Sequence, residues 1–459
     1  MTRAAVVLAA GKGTRFKSDL AKVLHPVAGW TMLRWVLHAL ATLELDRVVV
    51  VVGHQAEQVA AEATSVERLN VVAVHQAEQR GTGHAVRVAF DAGALEGIDQ
   101  VLVVPGDAPL IAAAPLDELF AAQPGHACAM MSAQLRDPTG YGRIVRDAEG
   151  RVRRVVEERD ATPEQRAIDE VNVSMYVFAA GELVKQLTRL STDNEQGEEY
   201  LTDVVEPLTD IGVVPVRAPE RAIAGVNDRE QLAAAGAVLR SAMLSTLMRE
   251  GVTVVDPAST YVGADCVVAA DAVLLPGTHL EGGTTVGRGA VVGPNCRLVD
   301  TAVGEDAQVT YSVALSAAIG PGAQVGPFSY LRPAAQLEER AKTGAFVEVK
   351  QSVIGAGSKV PHLSYIGDTT IGEGSNIGAA TVTVNYDGRR KHRTTIGDRV
   401  RIGSDTMLIA PVTIGDDAYT GAGSVITSDV PAGALGIERG QQRIIEGYAA
   451  RRSAGDDTT

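Results

Sequence analysis

The stretch IGPGAQVGPFSYLRPAAQL, residues 319–337, places Ile319, Val325, Leu331 and Leu337 six residues apart. The interval recurs in Ile354, Val360 and Ile366, and again in Ile396, Ile402, Leu408 and Ile414, with Ile426 two intervals further on. Most of these aliphatic residues precede a glycine, as in Ile319-Gly320, Ile354-Gly355, Ile396-Gly397 and Ile402-Gly403. A six-residue period fits neither an isolated helix nor a series of hairpins. It fits a parallel β-helix in which each hexad is one short strand and one corner. The aliphatic residue then points into the coil, and the glycine is expected to permit a tight corner. With three hexads per turn and strands stacked at ~4.8 Å, residues 252–430 make a stiff prism of roughly ten turns with a thin core.

Composition agrees with that plan. A chain of 459 residues is too long for one compact core, so at least two domains are expected. Forty-eight glycines and only 4% aromatics suit small turns packed with aliphatic side chains. A net charge of −14 argues against nucleic acid as a partner, because phosphate backbones require a basic field. Cys128, Cys266 and Cys296 are too few and too scattered for a disulfide framework or a metal cage, and are expected to be buried thiols in a reducing compartment. The chain opens directly on a strand pattern, and no stretch approaches 18 uninterrupted apolar residues. The expectation is a cytoplasmic protein with no membrane insertion.

Ahead of the prism, residues 4–10 read as a buried strand running into the turn GKGTR at 11–15. Apolar strands at 47–52, 71–74 and 101–104 alternate with helical stretches at 32–43 and 84–92. That alternation predicts an α/β domain with a Rossmann-like parallel sheet, which binds ligands beyond the carboxyl ends of its strands. Three polar turns lie there, at 11–15, 76–83 and 106–110. The first is neither a Walker loop nor a dinucleotide loop: Gly11-Lys12 lacks the earlier glycine and the following hydroxyl, and Phe16 stands where a third glycine belongs. What remains is exposed backbone N–H groups with Lys12, Arg15 and Lys22, suited to a polyphosphate.

The turns become specific in combination. The chain reads LAAGKGTR at 8–15, KVLH at 22–25, QAEQRGTGHA at 76–85 and GDAPL at 106–110, then DPTGYGRI at 137–144, VVE at 155–157, EVN at 170–172 and GVN at 225–227. This order resembles the sugar-1-phosphate nucleotidyltransferases. Together with the hexads, the whole chain resembles the bacterial family of bifunctional N-acetylglucosamine-1-phosphate uridyltransferases and glucosamine-1-phosphate N-acetyltransferases. The resemblance implies that Leu8, Ala9, Ala10, Gly11, Gln76, Gly81 and Thr82 hold the uridine of UTP, and that Arg15 and Lys22 hold its triphosphate. Gly142, Glu157 and Asn172 would hold the sugar, and Asp107 and Asn227 a Mg²⁺ ion. Phosphoryl transfer independently asks for positioned cations against the phosphates. Taken alone, Asp107 would read as a turn-initiating residue before Pro109. Pro105 stands where the family often has Tyr, and Ala21 where it often has Pro.

In the prism, the period breaks at TVNYDGRRKHRT, residues 383–394, an insert too polar to line a coil. A basic run is ordinarily a solvated loop, but on an acidic chain this one suits a phosphate-rich ligand. His362, in SKVPHLSY, would by itself read as a hydrogen-bonded structural residue. The resemblance makes it the general base that deprotonates the attacking amine, a task for which histidine's ordinary pKa of about 6.5 is suited. By the same resemblance Arg332, Lys350, Tyr365, Asn376 and Lys391 bind the sugar phosphate, and Ala379, Asn385, Tyr386, Ser404, Ala422 and Arg439 bind acetyl-CoA. Departures from the family are Ala345 for Asn, Val384 for Cys, and Pro361 for Gly beside the presumed base.

The expected organisation is a uridyltransferase domain at 1–226, a linker helix at 227–250 starting near Asp228, and an acetyltransferase prism at 251–459 whose tail frays after Arg439. The resemblance further implies a left-handed coil and a homotrimer. The expected product is UDP-N-acetylglucosamine, made from glucosamine-1-phosphate, acetyl-CoA and UTP. The rival readings are a single-activity sugar-1-phosphate nucleotidyltransferase with an inert coil, and a non-catalytic sugar-nucleotide sensor. Arg15, Lys22, Asp107 and Asn227 disfavour the sensor; His362, Lys350 and the polar insert disfavour the inert coil.

Overall fold

The computed structural model describes residues 1–218 and 225–453. The chain divides into two compact units, Met1–Ala242 and Met243–Thr459.

In the first unit, the strand Arg3–Ala9 lies between Arg47–Val52 and Gln100–Pro105, parallel to both, and Val71–His75 extends the same parallel ladder. These strands are apolar on both faces because both faces are covered. Ala5, Val7, Val48, Val50, Leu102 and Val104 enter one core cluster, and the alternating Ala4, Val6, Val49, Val51, Val101 and Val103 enter the other. The helix Met32–Leu40 shows how the covering works: Thr31 caps it by accepting from the Arg34 amide, and Met32, Leu33, Val36, Leu37 and Leu40 are buried along one stripe. The expected all-parallel sheet is corrected: the hairpin Arg143–Arg146 and Val152–Val156 attached to it is antiparallel, and so is a strand within it. Glu170–Ala179 runs antiparallel between Gln100–Pro105 and Cys128–Gln134, so the sheet is mixed. Direction is set by the connection between strands, which a run of apolar residues does not encode.

Loops at the carboxyl ends of the parallel strands are laced together. The Gly106 amide donates to the Leu8 carbonyl at 2.9 Å, His54 N–H to the Ala10 carbonyl at 3.2 Å, and Gln76 N–H to the Val52 carbonyl at 2.8 Å.

The second unit is a parallel β-helix of short strands in three sheets of 11, 10 and 9, each strand pairing with the one three places on, except that Tyr419–Thr420 pairs with Leu435–Gly436 two places on. All twelve aliphatic residues of the hexad reading are buried, from Ile319 at 2% exposure to Ile426 at 5%. The glycines after them have a different role from the one expected. Gly320, Gly355, Gly397 and Gly403 do not hold positive φ. They are needed because the next coil lies against them: a Cβ on Gly355 would stand 2.4 Å from the Gly372 carbonyl oxygen, and one on Gly403 2.5 Å from the Ala422 nitrogen. The left-handed corners fall instead to residues such as Asp300, Asp306, Arg340 and Asp405.

A second set of columns lies two residues before the aliphatic ones. Ala323, Ser329, Ala335 and Ala341 are buried there, and the hydroxyls bond to backbone, Ser329 Oγ donating to the Gly344 carbonyl of the next coil and Thr406 Oγ1 to the Gly403 carbonyl of its own corner, both at 2.7 Å. The helix expected at 227–250 is Arg229–Arg249, with Asp228 Oδ1 accepting from the Gln231 amide at its start. Its Ala235 and Leu239 pack with Phe16, Val27, Met32 and Val226 in the first unit, and its Leu244 joins the prism core. The tail beyond Arg439, expected to fray, is exposed through residue 453 and carries one short helix, Tyr448–Ser453; its last part, 454–459, lies outside the described residues. Cys128 and Cys296 are buried free thiols as expected, whereas Cys266 is only partly covered.

Candidate functional site

Two polar centres stand out, one in each unit. In the first, the loops after Arg3–Ala9 and Gln100–Pro105 bring Lys22 Nζ against Asp107 Oδ2. Asn227 Oδ1 accepts from Lys22 Nζ at 3.1 Å and from an Arg15 guanidinium nitrogen at 2.8 Å. Four residues expected at the phosphate and metal end therefore form one network. Its backbone is fixed from several sides. Val226 N–H donates to the Asp107 carbonyl at 3.0 Å, Gln231 Oε1 accepts from the Asn227 amide at 2.7 Å, and Arg229 Nε donates to the Phe16 carbonyl at 3.1 Å. Ala21, the departure from the family's Pro, uses the N–H that proline lacks: it donates to Gln55 Oε1 at 2.6 Å.

The Asp107 carboxylate and Asn227 carbonyl already converge on cationic side chains, so the oxygen pair fits a hard divalent cation completed by phosphate and water.

Gln76 is buried at the end of Val71–His75; its amide nitrogen donates to the Gly81 carbonyl at 3.2 Å and lies 3.0 Å from His84 Nδ1. Leu8, Ala9, Ala10 and Gly11 line the end of the central strand, of which only Gly11 is exposed. Thr82 opens the helix Thr82–Asp91 and accepts from the Leu201 amide at 3.0 Å.

Gly142, Glu157 and Asn172 form a second cluster in this unit. Asn172 N–H donates to the Gly142 carbonyl at 2.8 Å, and a Cβ on Gly142 would lie 3.5 Å from Glu157 Oε2. A bulge after Asn172, with Ser174 at φ 59°, turns the Asn172 side chain so that Nδ2 donates to Tyr176 Oη at 2.6 Å and Oδ1 accepts from the Ser174 amide at 3.2 Å. Burial raises the Glu157 pKa, the Asp203 and Asp160 carboxylates add to it, and the bond from Thr202 Oγ1 at 2.9 Å opposes it. Tyr176 is likewise pushed up, by burial first and then by Glu157. Tyr176, Thr202, Gln55 and Gln231 escaped the sequence reading; none lies in a motif that marks it.

In the prism, positions one coil apart are stacked. Glu348 pairs with Tyr330 and Tyr365 across one face, which sets Arg332, Lys350, Tyr365 and Asn385 side by side. Arg332 donates to Glu348 at 2.8 Å. Lys350 Nζ lies 3.4 Å from Asp368 Oδ2, with both side chains largely covered, and Asn385 Nδ2 bridges Asp368 Oδ2 at 2.5 Å and Tyr365 Oη at 3.3 Å. Lys391 stands beside Lys350, whose ammonium, with Arg332 further off, lowers the Lys391 pKa. Surplus positive charge of this kind suits a phosphate. Asn376 is not part of the group: it pairs with Lys359 and Arg401 on another face.

His362 ends the strand Lys359–His362 with an exposed imidazole that has no hydrogen-bond partner among the described residues. Its carbonyl is held by the Ala380 amide at 3.2 Å and Ser364 Oγ at 2.8 Å, so the backbone is fixed while the ring is available. A hydrogen-bonded structural histidine would show the reverse.

Ala379, Ser404, Ala422 and Arg439 occupy successive coils of one corner. The Asp405 amide donates to the Ala379 carbonyl at 2.7 Å, Gly423 N–H to the Ser404 carbonyl at 2.8 Å, and Arg439 to the Ala422 carbonyl at 3.2 Å. The polar insert leaves at the next corner, between Val382–Val384 and Thr394–Ile396, through buried Asn385 and exposed Tyr386. Within it the Asp387 carboxyl is held down to about 2, by the Arg390 amide first and then by His392.

Comparison with known proteins matches residues 5–206 to the MobA-like NTP transferase domain and residues 393–428 to the bacterial transferase hexapeptide family (six repeats). Relatives named bifunctional protein GlmU span nearly the whole chain. That of Thermobifida fusca is 54% identical, covering 98% of this chain and 95% of its own length. Those of Streptomyces griseus and Mycolicibacterium vanbaalenii are 52% and 50% identical, again over 98% of this chain and over 95% and 94% of their own.

Proposed function

From the premise that this chain belongs to the family of bifunctional GlmU proteins, we infer that its two centres perform consecutive steps of one synthesis. The chain is an enzyme that makes UDP-N-acetylglucosamine: acetyl-CoA acetylates the amine of glucosamine-1-phosphate, and UTP then uridylates the product with release of pyrophosphate. Its architecture is a Rossmann-like nucleotidyltransferase domain followed by a left-handed parallel β-helix of hexapeptide repeats.

The assignment of residues to these steps is our proposal, carried by the fact that each unit holds a centre of the right chemistry. In the first, Arg15 and Lys22 neutralise the triphosphate, the turn from Gln76 to Thr82 holds uridine, and Gly142, Glu157 and Asn172 hold the sugar whose phosphate oxygen attacks the α-phosphorus. Asp107 and Asn227 would hold Mg²⁺, which supplies charge neutralisation on the phosphates. In the prism, Arg332, Lys350, Tyr365 and Lys391 grip the sugar phosphate. His362 accepts the proton that the amine loses as it attacks the thioester carbonyl. The corner column from Ala379 to Arg439, with Asn385 and Tyr386, takes acetyl-CoA.

We further propose a homotrimer. Tyr311, Phe328, Phe346 and Leu363 hold positive φ at successive corners and are 41, 54, 59 and 60% exposed, with ring centroids 5.7 Å and 5.3 Å apart along the first three. Bulky residues in a costly conformation, forming an apolar ladder, call for cover by another copy. Asn376, apart from the rest of the sugar-phosphate set in one copy, would be supplied to it by a neighbour. Light scattering at micromolar concentration tests this, and a monomer with intact acetyl transfer overturns it. We also propose a cytoplasmic location, where free thiols persist; no helix among the described residues is long and apolar enough to cross a membrane.

The decisive assay supplies glucosamine-1-phosphate, acetyl-CoA and UTP and omits one at a time. UDP-N-acetylglucosamine should form only with all three, and acetyl-CoA should become dispensable when N-acetylglucosamine-1-phosphate is given. Indifference of glucosamine-1-phosphate to acetyl-CoA would leave the single-activity reading.

A further inference from the structure

Glu199 lies in no motif, yet its carboxylate is only 2% exposed and sits between two guanidinium groups. Arg80 and Arg87 both donate to Oε1, Arg87 at 3.0 Å, and the Arg87 guanidinium also lies 2.8 Å from Oε2. Arg80 belongs to the turn assigned to uridine, and Arg87 to the helix Thr82–Asp91 that follows it. The Glu199 backbone grips the same turn: its amide donates to the Arg80 carbonyl at 2.7 Å, and its carbonyl accepts from the Gly83 amide at 2.8 Å. Between them Gly81 adopts φ 113°, and a Cβ there would stand 2.6 Å from the Glu199 carbonyl oxygen, so the two backbones lie flush. The Gly81 carbonyl is in turn the acceptor that orients the buried Gln76 amide. A series of contacts thus runs from the Glu199 carboxylate through Arg80 and Gly81 to Gln76.

The segment continues toward the sugar cluster. The Leu201 amide donates to Thr82 Oγ1 at 3.0 Å, and Thr202 Oγ1 donates to Glu157 Oε1 at 2.9 Å. Four consecutive residues therefore touch both the nucleotide turn and the sugar carboxylate.

We propose that Glu199 is a positioning residue for UTP, acting through Arg80 and Arg87 on the turn from Gln76 to Thr82, and that residues 199–202 tie this turn to the sugar cluster. A buried carboxylate between two arginines holds its neighbours in one arrangement, because each guanidinium donates to oxygen that water barely reaches. The inference rests on the reading of Gln76 to Thr82 as the uridine contact.

The test is uridyl-transfer kinetics on the full chain, with acetyl transfer by the same polypeptide as internal control. Glu199→Gln keeps the size and removes the charge. It should raise the KM for UTP roughly tenfold, as expected for losing bonds to a charged group, with kcat within about twofold and acetyl transfer unchanged, while the two guanidinium groups left without their carboxylate lower the Tm of the N-terminal unit. Arg80→Met, at a half-exposed position that should fold without difficulty, should move the same KM in the same direction by less. Gln76→Ala separates the two levels of the argument. If it raises the KM for UTP while Glu199→Gln and Arg80→Met leave it alone, the positioning role falls and the uridine site stands. If none of the three changes that KM, both fall. A Glu199→Gln protein that loses Tm and acetyl transfer together would show a structural residue and overturn the proposal, as would an Arg80→Met protein with an unchanged KM for UTP.

Discussion

The two units solve one problem, bringing distant residues together, in opposite ways. In the prism the solution is translation. Arg332, Lys350 and Asp368 follow one another by a single coil, and the distance between them is set by strand pairing on one face. In the N-terminal unit the solution is loop convergence: Lys22 meets Asp107 across 85 residues and Asn227 across 205, with no repeat relating them. A translated site is as rigid as its coil, because each residue is held by the coil on either side. A converged site depends on side-chain and backbone bonds between loops, such as Ala21 to Gln55 and Asn227 to Gln231. Substitutions in the first should therefore report on packing, and in the second on local bonds.

The largest effect expected is in the converged site. Asp107→Ala removes the carboxylate on which Lys22 and the proposed metal converge, and should abolish uridyl transfer while leaving acetyl transfer intact. Trp30 and Trp35, the only tryptophans, both lie in that unit, so their fluorescence checks its folding. Measurable uridyl transfer by folded Asp107→Ala would overturn its proposed role, and loss of acetyl transfer with it would break the division between the units. Next comes His362→Ala, which should lower acetyl kcat about a hundredfold or more, with uridyl transfer and Tm kept, because its ring has no partner to lose among the described residues. A near wild-type acetyl rate would return His362 to a structural role and direct attention to Glu348.

Packing supplies the third effect. Gly355→Ala forces a Cβ to within 2.4 Å of the Gly372 carbonyl oxygen and should cost about 1–3 kcal/mol, read by calorimetry. Gly181→Ala, facing open space at the start of the helix Ala180–Leu187, should instead stabilise by up to about 1 kcal/mol. Equal effects would erase the contrast between stacked coil and covered sheet.

The smallest effect concerns Glu157. A carboxyl whose pKa is raised on folding binds its proton more tightly in the folded state, so its contribution to stability grows as pH falls through that raised pKa. The sugar, held by the ionised form, should bind more weakly over the same window, by roughly two- to fivefold. The KM for N-acetylglucosamine-1-phosphate and Tm should therefore rise together toward acid, above the ordinary carboxylate range, and Glu157→Gln should flatten both. Parallel weakening of stability and affinity would contradict the assignment.

The prism was legible because its period is short and its inward residues share one chemistry. Even there the reading stopped early. The small residues Ala323, Ser329, Ala335 and Ala341 stand two positions before the aliphatic ones and carry the same interval, a signal present but unused. The glycines were credited with conformational freedom when what they provide is closeness, a property of the next coil and not of their own sequence neighbourhood. In the N-terminal unit the alternation of strands and helices was visible, but the antiparallel course of Glu170–Ala179 was not, since its partners are chosen by tertiary connection. The site residues proposed here come from the resemblance. Their supports, Tyr176 under Asn172, Thr202 on Glu157 and Glu199 behind Arg80, belong to contacts between remote segments and leave no local pattern.

The polar insert has a consequence for how such a scaffold changes over time. Ile354 pairs with Ile371, 17 residues on, whereas Ile371 pairs with Ile396 across 25, yet the ladder on either side keeps its register. The extra residues leave and rejoin at a corner, so the coil does not count them. A corner of this kind is a graft point, where loops of different length and charge can be exchanged while the stacked strands go on supplying the fixed half of a binding surface.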